Sequence, residues 1–154
     1  MSFLFIFGAK YLYIVSLLMA IGYFFVISRE NKKSFLVLGI ISSVLAYAVS
    51  LVISHLYFDP RPFVVGHFTP LIPHAADNGF PSDHELLTAV IASVMYLYNR
   101  KVSLVLWLIA IAVGISRVYV GIHHPIDIAG SIIIAIGATA FTYFIIKKYA
   151  RFHF

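Results

Sequence analysis

Five stretches of this chain carry no Asp, Glu, Lys or Arg: residues 11–27, 34–58, 86–98, 102–116 and 128–146. A hydrocarbon core about 30 Å thick takes about 20 helical residues at a rise of about 1.5 Å each, so runs of this length are membrane spans. The third and fourth reach that length only if 82–98 and 102–120 are helical, which leaves charged residues in the first turn of one and the last turns of the other, near one interface. The expected architecture is an all-α polytopic membrane bundle with about five helices, at 10–28, 34–58, 82–98, 102–120 and 125–147. With 154 residues, 62% of them hydrophobic and 11% charged, no room remains for a separate soluble domain, and 1–154 reads as one unit. Residues 2–7 are too short to span and are expected to stop at Gly8 as an interfacial segment. They carry no basic region and no A-x-A site, so a cleaved signal peptide is not expected.

The connections differ in charge. Arg29, Lys32 and Lys33 follow the first run, Arg100 and Lys101 the third, and Lys147, Lys148 and Arg151 the fifth, together eight of the eleven basic residues. Five crossings put these places on one side, which the positive-inside rule makes cytoplasmic. The net charge of +5 therefore reports orientation and inner-leaflet anchoring, and no nucleic-acid partner is expected. The opposite face gathers Lys10, Arg61, Arg117, Asp59, Asp77, Asp83, Glu85, Asp127 and six of the seven histidines. Because the chain has no cysteine, disulfides, thiolate metal sites and a cysteine nucleophile are excluded, and chemistry falls to His, Asp, Ser and Arg.

On that face the connection 59–81 holds five prolines, so it does not continue a helix and reads as a structured lid or interfacial loop. The connection 119–125 is tight, with Pro125 suited to the first turn of a helix. Three clusters follow in order: Asp59-Pro60-Arg61-Pro62, Pro81-Ser82-Asp83-His84, and Ser116-Arg117 with His123 after five intervening residues and Asp127 after three more. Two guanidiniums at helix ends inside a membrane protein need an anion or a carboxylate, and a phosphate suits their planar fork. Structural salt bridges from Arg61 and Arg117 to Asp59 and Asp127 are the competing reading. Ser82 with Glu85 forms the S-x-x-E capping-box pattern at a helix start, whose N–H groups and dipole also suit an anion. His123 and Asp127 stand four apart, so Asp127 can hold one imidazole nitrogen and leave the other as a nucleophile, while His84 can protonate a leaving oxygen. His124 misses that spacing and reads as a bystander. His74 and Asp77 are open between a supporting pair behind the site and ordinary loop packing, and His55 and His67 read as interfacial or structural.

This set resembles the type 2 phosphatidic acid phosphatase superfamily, with its pattern K-x6-RP, PSGH and SR-x5-H-x3-D, over roughly residues 51–140. Within it LYFDPRPF (56–63), LIPHAAD (71–77) and FPSDH (80–84) look like the bacitracin-resistance branch of undecaprenyl-diphosphate phosphatases. The resemblance implies His123 as the nucleophile that forms a phosphohistidine, Asp127 as its orienting group, and His84 as the acid that later activates water. It implies Arg61, Ser82 and Arg117 as ligands of the phosphoryl oxygens, with main-chain N–H groups at Asp83 and His84, and neither metal nor cofactor. The implied partner is an isoprenoid diphosphate lipid, hydrolysed for carrier-lipid recycling in cell-wall synthesis. The implied location is a bacterial plasma (inner) membrane, with the site facing the periplasm or exterior. A phosphatidylglycerophosphate or phosphatidic acid phosphatase shares the same site, and a non-catalytic lipid- or anion-binding protein is the alternative of another class. The superfamily lysine seven positions before Arg61 is Ser54 here, and Asp83 replaces the glycine of PSGH, where an acid favours protonated His84. Oligomeric state is open.

Overall fold

The computed structural model describes residues 2–149, so Arg151 lies outside it. Among the described residues the chain forms six helices and no named strand: α1 (Ser2–Val26), α2 (Arg29–Leu56), α3 (Pro62–Val65), α4 (Asp83–Tyr96), α5 (Arg100–Tyr119) and α6 (Pro125–Tyr149). Four of them, α1, α2, α5 and α6, are long and apolar enough to cross a membrane. Large side chains such as Phe3, Leu18, Val44, Leu104 and Phe144 stand exposed on their outer faces, where lipid is the solvent.

α1 departs from expectation. No interfacial segment breaks off at Gly8; the helix runs unbroken from Ser2. Gly8 serves contact and not termination, since a Cβ there would run into Ser116 Oγ on α5. Small residues let backbones approach in a membrane bundle, and that packing offsets the cost of about 1 kcal/mol of a helical glycine.

α4 is the hub, packed against α1, α2, α5 and α6. It is buried on nearly every side, by Leu86, Ala89, Val90, Ala92, Val94 and Met95, as a helix apolar all round must be. At 14 residues it rises about 21 Å, less than the span expected from 82–98. Two features shorten it: the proline-rich connection occupies the chain before it, and Asn99 opens α5 early by accepting from the Lys101 and Val102 N–H groups at 3.1 Å each. In α2, Ser34, Ser43, Ser50 and Ser54 return their hydroxyls to carbonyls three or four residues back, which pairs these four donors within the helix.

The bundle has two distinct ends. At one, Tyr98 donates to Ser34 Oγ at 3.0 Å, near Arg29, Lys32, Lys33, Arg100 and Lys101. At the other, the α2–α4 and α5–α6 connections meet. Asn78 binds the first of these down: its amide donates to the Ser54 and Tyr57 carbonyls and accepts from the Asp59 and Phe80 N–H groups, all between 2.9 and 3.0 Å. The second turns on Gly121, whose φ of +83° is left-handed backbone that favours glycine, and α6 starts at Pro125.

Candidate active site

The α5–α6 connection delivers His123 into the bundle end with 2% of its surface exposed. Its Nδ1 lies 3.2 Å from Asp127 Oδ2, and its Nε2 lies 3.2 Å from Arg117 Nη2 and 3.4 Å from Arg61 Nη1. A guanidinium only donates, so Nε2 is the acceptor and Nδ1 carries the proton that Asp127 receives. Burial first, then Arg117 and Arg61, push the His123 imidazole far below its ordinary range of protonation. It is neutral at pH 7, with its free lone pair aimed between two cations.

The arginines are fixed by backbone. Arg61 donates through Nη1 to the Ile122 carbonyl at 2.8 Å and through Nη2 to the Asn78 carbonyl at 3.2 Å, and its Nε meets Asp77 Oδ1 at 2.6 Å. Arg117 donates through Nη1 to the Ala9 carbonyl of α1 at 3.1 Å. The bridges considered from sequence, to Asp59 and Asp127, are not made; Arg61 pairs with Asp77 and Arg117 has no carboxylate partner among the described residues. Arg117 Nε and Ser82 Oγ are buried without a hydrogen-bond partner. Arg117, which reaches His123 Nε2, thus keeps unspent donor capacity in a buried setting, which suits a tetrahedral oxyanion.

Ser82 precedes α4, but the capping box does not form. Its hydroxyl makes no cap hydrogen bond, and Glu85, fully buried, turns toward Gly114 of α5 instead of back to the helix start. The start of α4 is held by Ser131, whose hydroxyl bridges the Ser82 and Asp127 carbonyls at 2.9 and 2.8 Å. Its first N–H groups, at Asp83 and His84, have no intrahelical partner. His84 is half-buried with the Tyr13 ring edge-on at 4.6 Å, and close enough to Arg117 to feel its charge. The Asp83 side chain instead lines a cavity with Ser43 and Tyr47 of α2.

His74 sets its ring 6.3 Å from that of His123. Partial burial first, then Arg61, push its imidazole below the ordinary range. Desolvation alone raises Asp77, but the Arg61 hydrogen bond and charge outweigh it and hold the carboxyl low. His124 turns away from the arginines: its Nδ1 meets Asp59 Oδ2 at 3.0 Å and its N–H donates to Asp127 Oδ2 at 2.8 Å. Ligand atoms of Asp59, His124 and Asp127 lie within 4.8 Å of one another, a donor set chemically able to take a divalent cation, which would compete with His123 for Asp127. Gly79 passes tightly over this group, its absent Cβ 3.1 Å from Asp127 Oδ2.

Sequence reasoning missed three contributors. Asn78 had one signal, its place in an Asp-Asn-Gly turn; Tyr13 and the Ala9 carbonyl had none, being ordinary residues of an apolar helix.

Residues 33–151 match the PAP2 superfamily. The chain is 38% identical over 109 residues to the undecaprenyl-diphosphatase BcrC of Bacillus subtilis, covering 71% of this chain and 56% of that protein. It is 30% identical over 129 residues to the bacitracin transport permease protein BcrC of Bacillus licheniformis, covering 82% and 64%. The chain thus spans less than two thirds of the length of these relatives. Among solved structures it superposes on LpxE of Aquifex aeolicus with a TM-score of 0.71 at 21% identity, over 92% of this chain and 82% of that one. It also superposes on a PAP2-type phosphatidylglycerolphosphate phosphatase of Bacillus subtilis with a TM-score of 0.60 at 25% identity, over 97% and 76%. With the match running through all three clusters at the bundle end, this chain belongs to the PAP2 superfamily.

Proposed function

We propose that this chain is a metal-independent lipid phosphatase that removes the terminal phosphate of undecaprenyl diphosphate through a phosphohistidine. The observation that carries the reading is His123 itself: neutral, oriented by Asp127 and aimed between two buried guanidiniums. His123 Nε2 attacks the terminal phosphorus, the bond from phosphorus to the bridging oxygen breaks, and His84 delivers a proton to that oxygen as lipid monophosphate leaves. Arg61, Arg117, Ser82 and the N–H groups opening α4 hold the three phosphoryl oxygens as charge shifts onto them. His84, now a base, takes a proton from water that attacks the phosphoenzyme, the N–P bond breaks, and inorganic phosphate departs. His74 and Asp77 support Arg61 from the loop side. The chain 1–154 acts as one domain, with the site facing the periplasm or exterior of a bacterial inner membrane and the basic end in the cytoplasm. The reaction returns the carrier lipid for cell-wall synthesis.

The substrate follows the relatives named as undecaprenyl-diphosphatases. A phosphatidylglycerophosphate phosphatase is the second reading, favoured by the superposition over 97% of this chain on the enzyme of that name. Phosphate release from isoprenyl diphosphate, phosphatidylglycerophosphate and phosphatidic acid by purified protein in EDTA separates them. Diphosphate is expected to be turned over fastest, with activity lost in His123→Ala and His84→Ala. Equal rates for wild type and His123→Ala would falsify the nucleophile, and a requirement for added divalent cation would remove the metal-free assignment.

A further inference from the structure

The phosphoryl cradle accounts for one phosphate, yet a diphosphate lipid brings a second phosphate and a long apolar chain. Lys10 stands at the level of the cradle. Its neighbour Ala9 gives its carbonyl to Arg117, and Tyr13, one turn on, touches His84. Lys10 is exposed and makes no ion pair or hydrogen bond among the described residues.

Positions 10, 13, 17, 20, 21 and 24 fall on one flank of α1, at helical spacings of three and four. Leu17, Ile21 and Phe24 on that flank wall an apolar groove of about 300 Å³, with Gly39 and Ser43 of α2 opposite and Val90 of α4 on its floor. α1 and α2 meet through Tyr23 and Phe35, whose ring centroids are 5.7 Å apart near the α1–α2 turn, and Phe35 also lines the groove. A smaller cavity of about 190 Å³, which shares Ser43, Leu87 and Val90 with the first, carries it up to Asp83, the residue before His84. The smaller cavity lies between α2 and α4 and the groove among α1, α2 and α4, while Lys10 stands on the α1 flank that continues into the groove wall at Leu17. Gly39 widens the groove, since a Cβ there meets nothing within 4 Å.

We infer that Lys10 binds the phosphate that remains with the lipid, and that the isoprenoid chain lies in the groove between α1 and α2. This rests on the diphosphate-lipid reading above. Charge complementarity selects the phosphate: a second anion at a membrane interface needs a cation, and Lys10 stands beside the cradle unpaired among the described residues. Continuity selects the chain, because the two cavities share Ser43, Leu87 and Val90 and reach from the groove to Asp83, the residue next to His84 and Ser82.

Vanadate fills the cradle alone, whereas the substrate reaches beyond it, so the test compares the two in one variant series. In Lys10→Ala the ratio of KM for isoprenyl diphosphate to Ki for vanadate is expected to rise about tenfold, with most of the rise reversed in Lys10→Arg. An unchanged ratio, or equal rises in KM and Ki, overturns the assignment. Gly39→Leu, which fills open space without a clash, is expected to lower kcat/KM for the C55 diphosphate several-fold more than for a short soluble isoprenyl diphosphate; equal losses overturn the groove. Wild-type protein that neither hydrolyses isoprenyl diphosphate nor binds vanadate refutes the parent reading, and this inference with it. Wild-type turnover with an unmoved ratio refutes the inference alone.

Discussion

The two ends of the bundle use the same kind of residue in opposite ways. At the basic end, Lys32 lies over Phe24 at 5.2 Å, Arg100 over Tyr96 at 5.3 Å and Lys147 over Tyr143 at 5.6 Å. These cations keep their heads in water and rest their stems and charge on rings, an arrangement worth about 0.5–1 kcal/mol each. At the other end, Arg61 and Arg117 are 6% and 4% exposed and are pinned by carbonyls, and among the described residues only Arg61 has a carboxylate partner, Asp77. A buried charge taken from water costs several kcal/mol unless it is met. Cations that remain hydrated anchor a protein; cations that are desolvated and left short of partners wait for an anion.

Substitutions on either side sharpen that contrast. The largest effect is expected for Arg117→Lys, which keeps the charge but loses the planar fork: kcat/KM for phosphate release is predicted to fall about 10²–10³-fold, and retained activity breaks the contrast. Asn78→Ala leaves the Ser54 and Tyr57 carbonyls and the Asp59 and Phe80 N–H groups without their shared partner. Each hydrogen bond contributes about 1 kcal/mol net, so the predicted loss is about tenfold or more in kcat/KM, with a lower thermal midpoint in detergent. Smallest of all, Lys147→Ala and Lys148→Ala are expected to change stability by no more than about 0.5 kcal/mol and turnover by less than twofold.

The pH dependence belongs to the same comparison. His123 is held below the ordinary histidine range by burial and by the two arginines. Its folded form therefore stays neutral where an unfolded chain would take up a proton. The stability tied to this is present above pH of about 6.5 and is lost as pH falls below it. Nitrogen NMR of labelled imidazoles is expected to show His123 neutral at pH 5 in wild type and to titrate higher in Arg117→Gln. A wild-type His123 that titrates near 6.5 contradicts the electrostatics of the site.

Hydropathy located the four long apolar helices because the bilayer imposes a length that few sequences meet by accident. The spacing from Arg117 to His123 to Asp127 brought together residues that do meet in space, since a short turn and one helical turn translate directly into distance. What failed was local grammar overridden by packing. Gly8 reads as a stop and acts as a contact with Ser116; Ser82 and Glu85 read as a capping box, yet Glu85 is drawn into the α4–α5 seam. The end of α4 moved because Asn99 captured the next helix. Asn78 and the Ala9 carbonyl were unreadable for a plainer reason: their roles depend on which distant segment arrives beside them.

The central claim is that His123 is the group that takes the phosphoryl. Rapid quenching of purified protein with isoprenyl diphosphate labelled on its terminal phosphate, followed by alkaline digestion and mass spectrometry, tests it directly. A phosphoryl group on Nε2 of His123, absent in His123→Ala and longer-lived in His84→Ala, is the predicted result. Turnover with no protein-bound phosphate, or with the phosphate on His124 or His84, contradicts it.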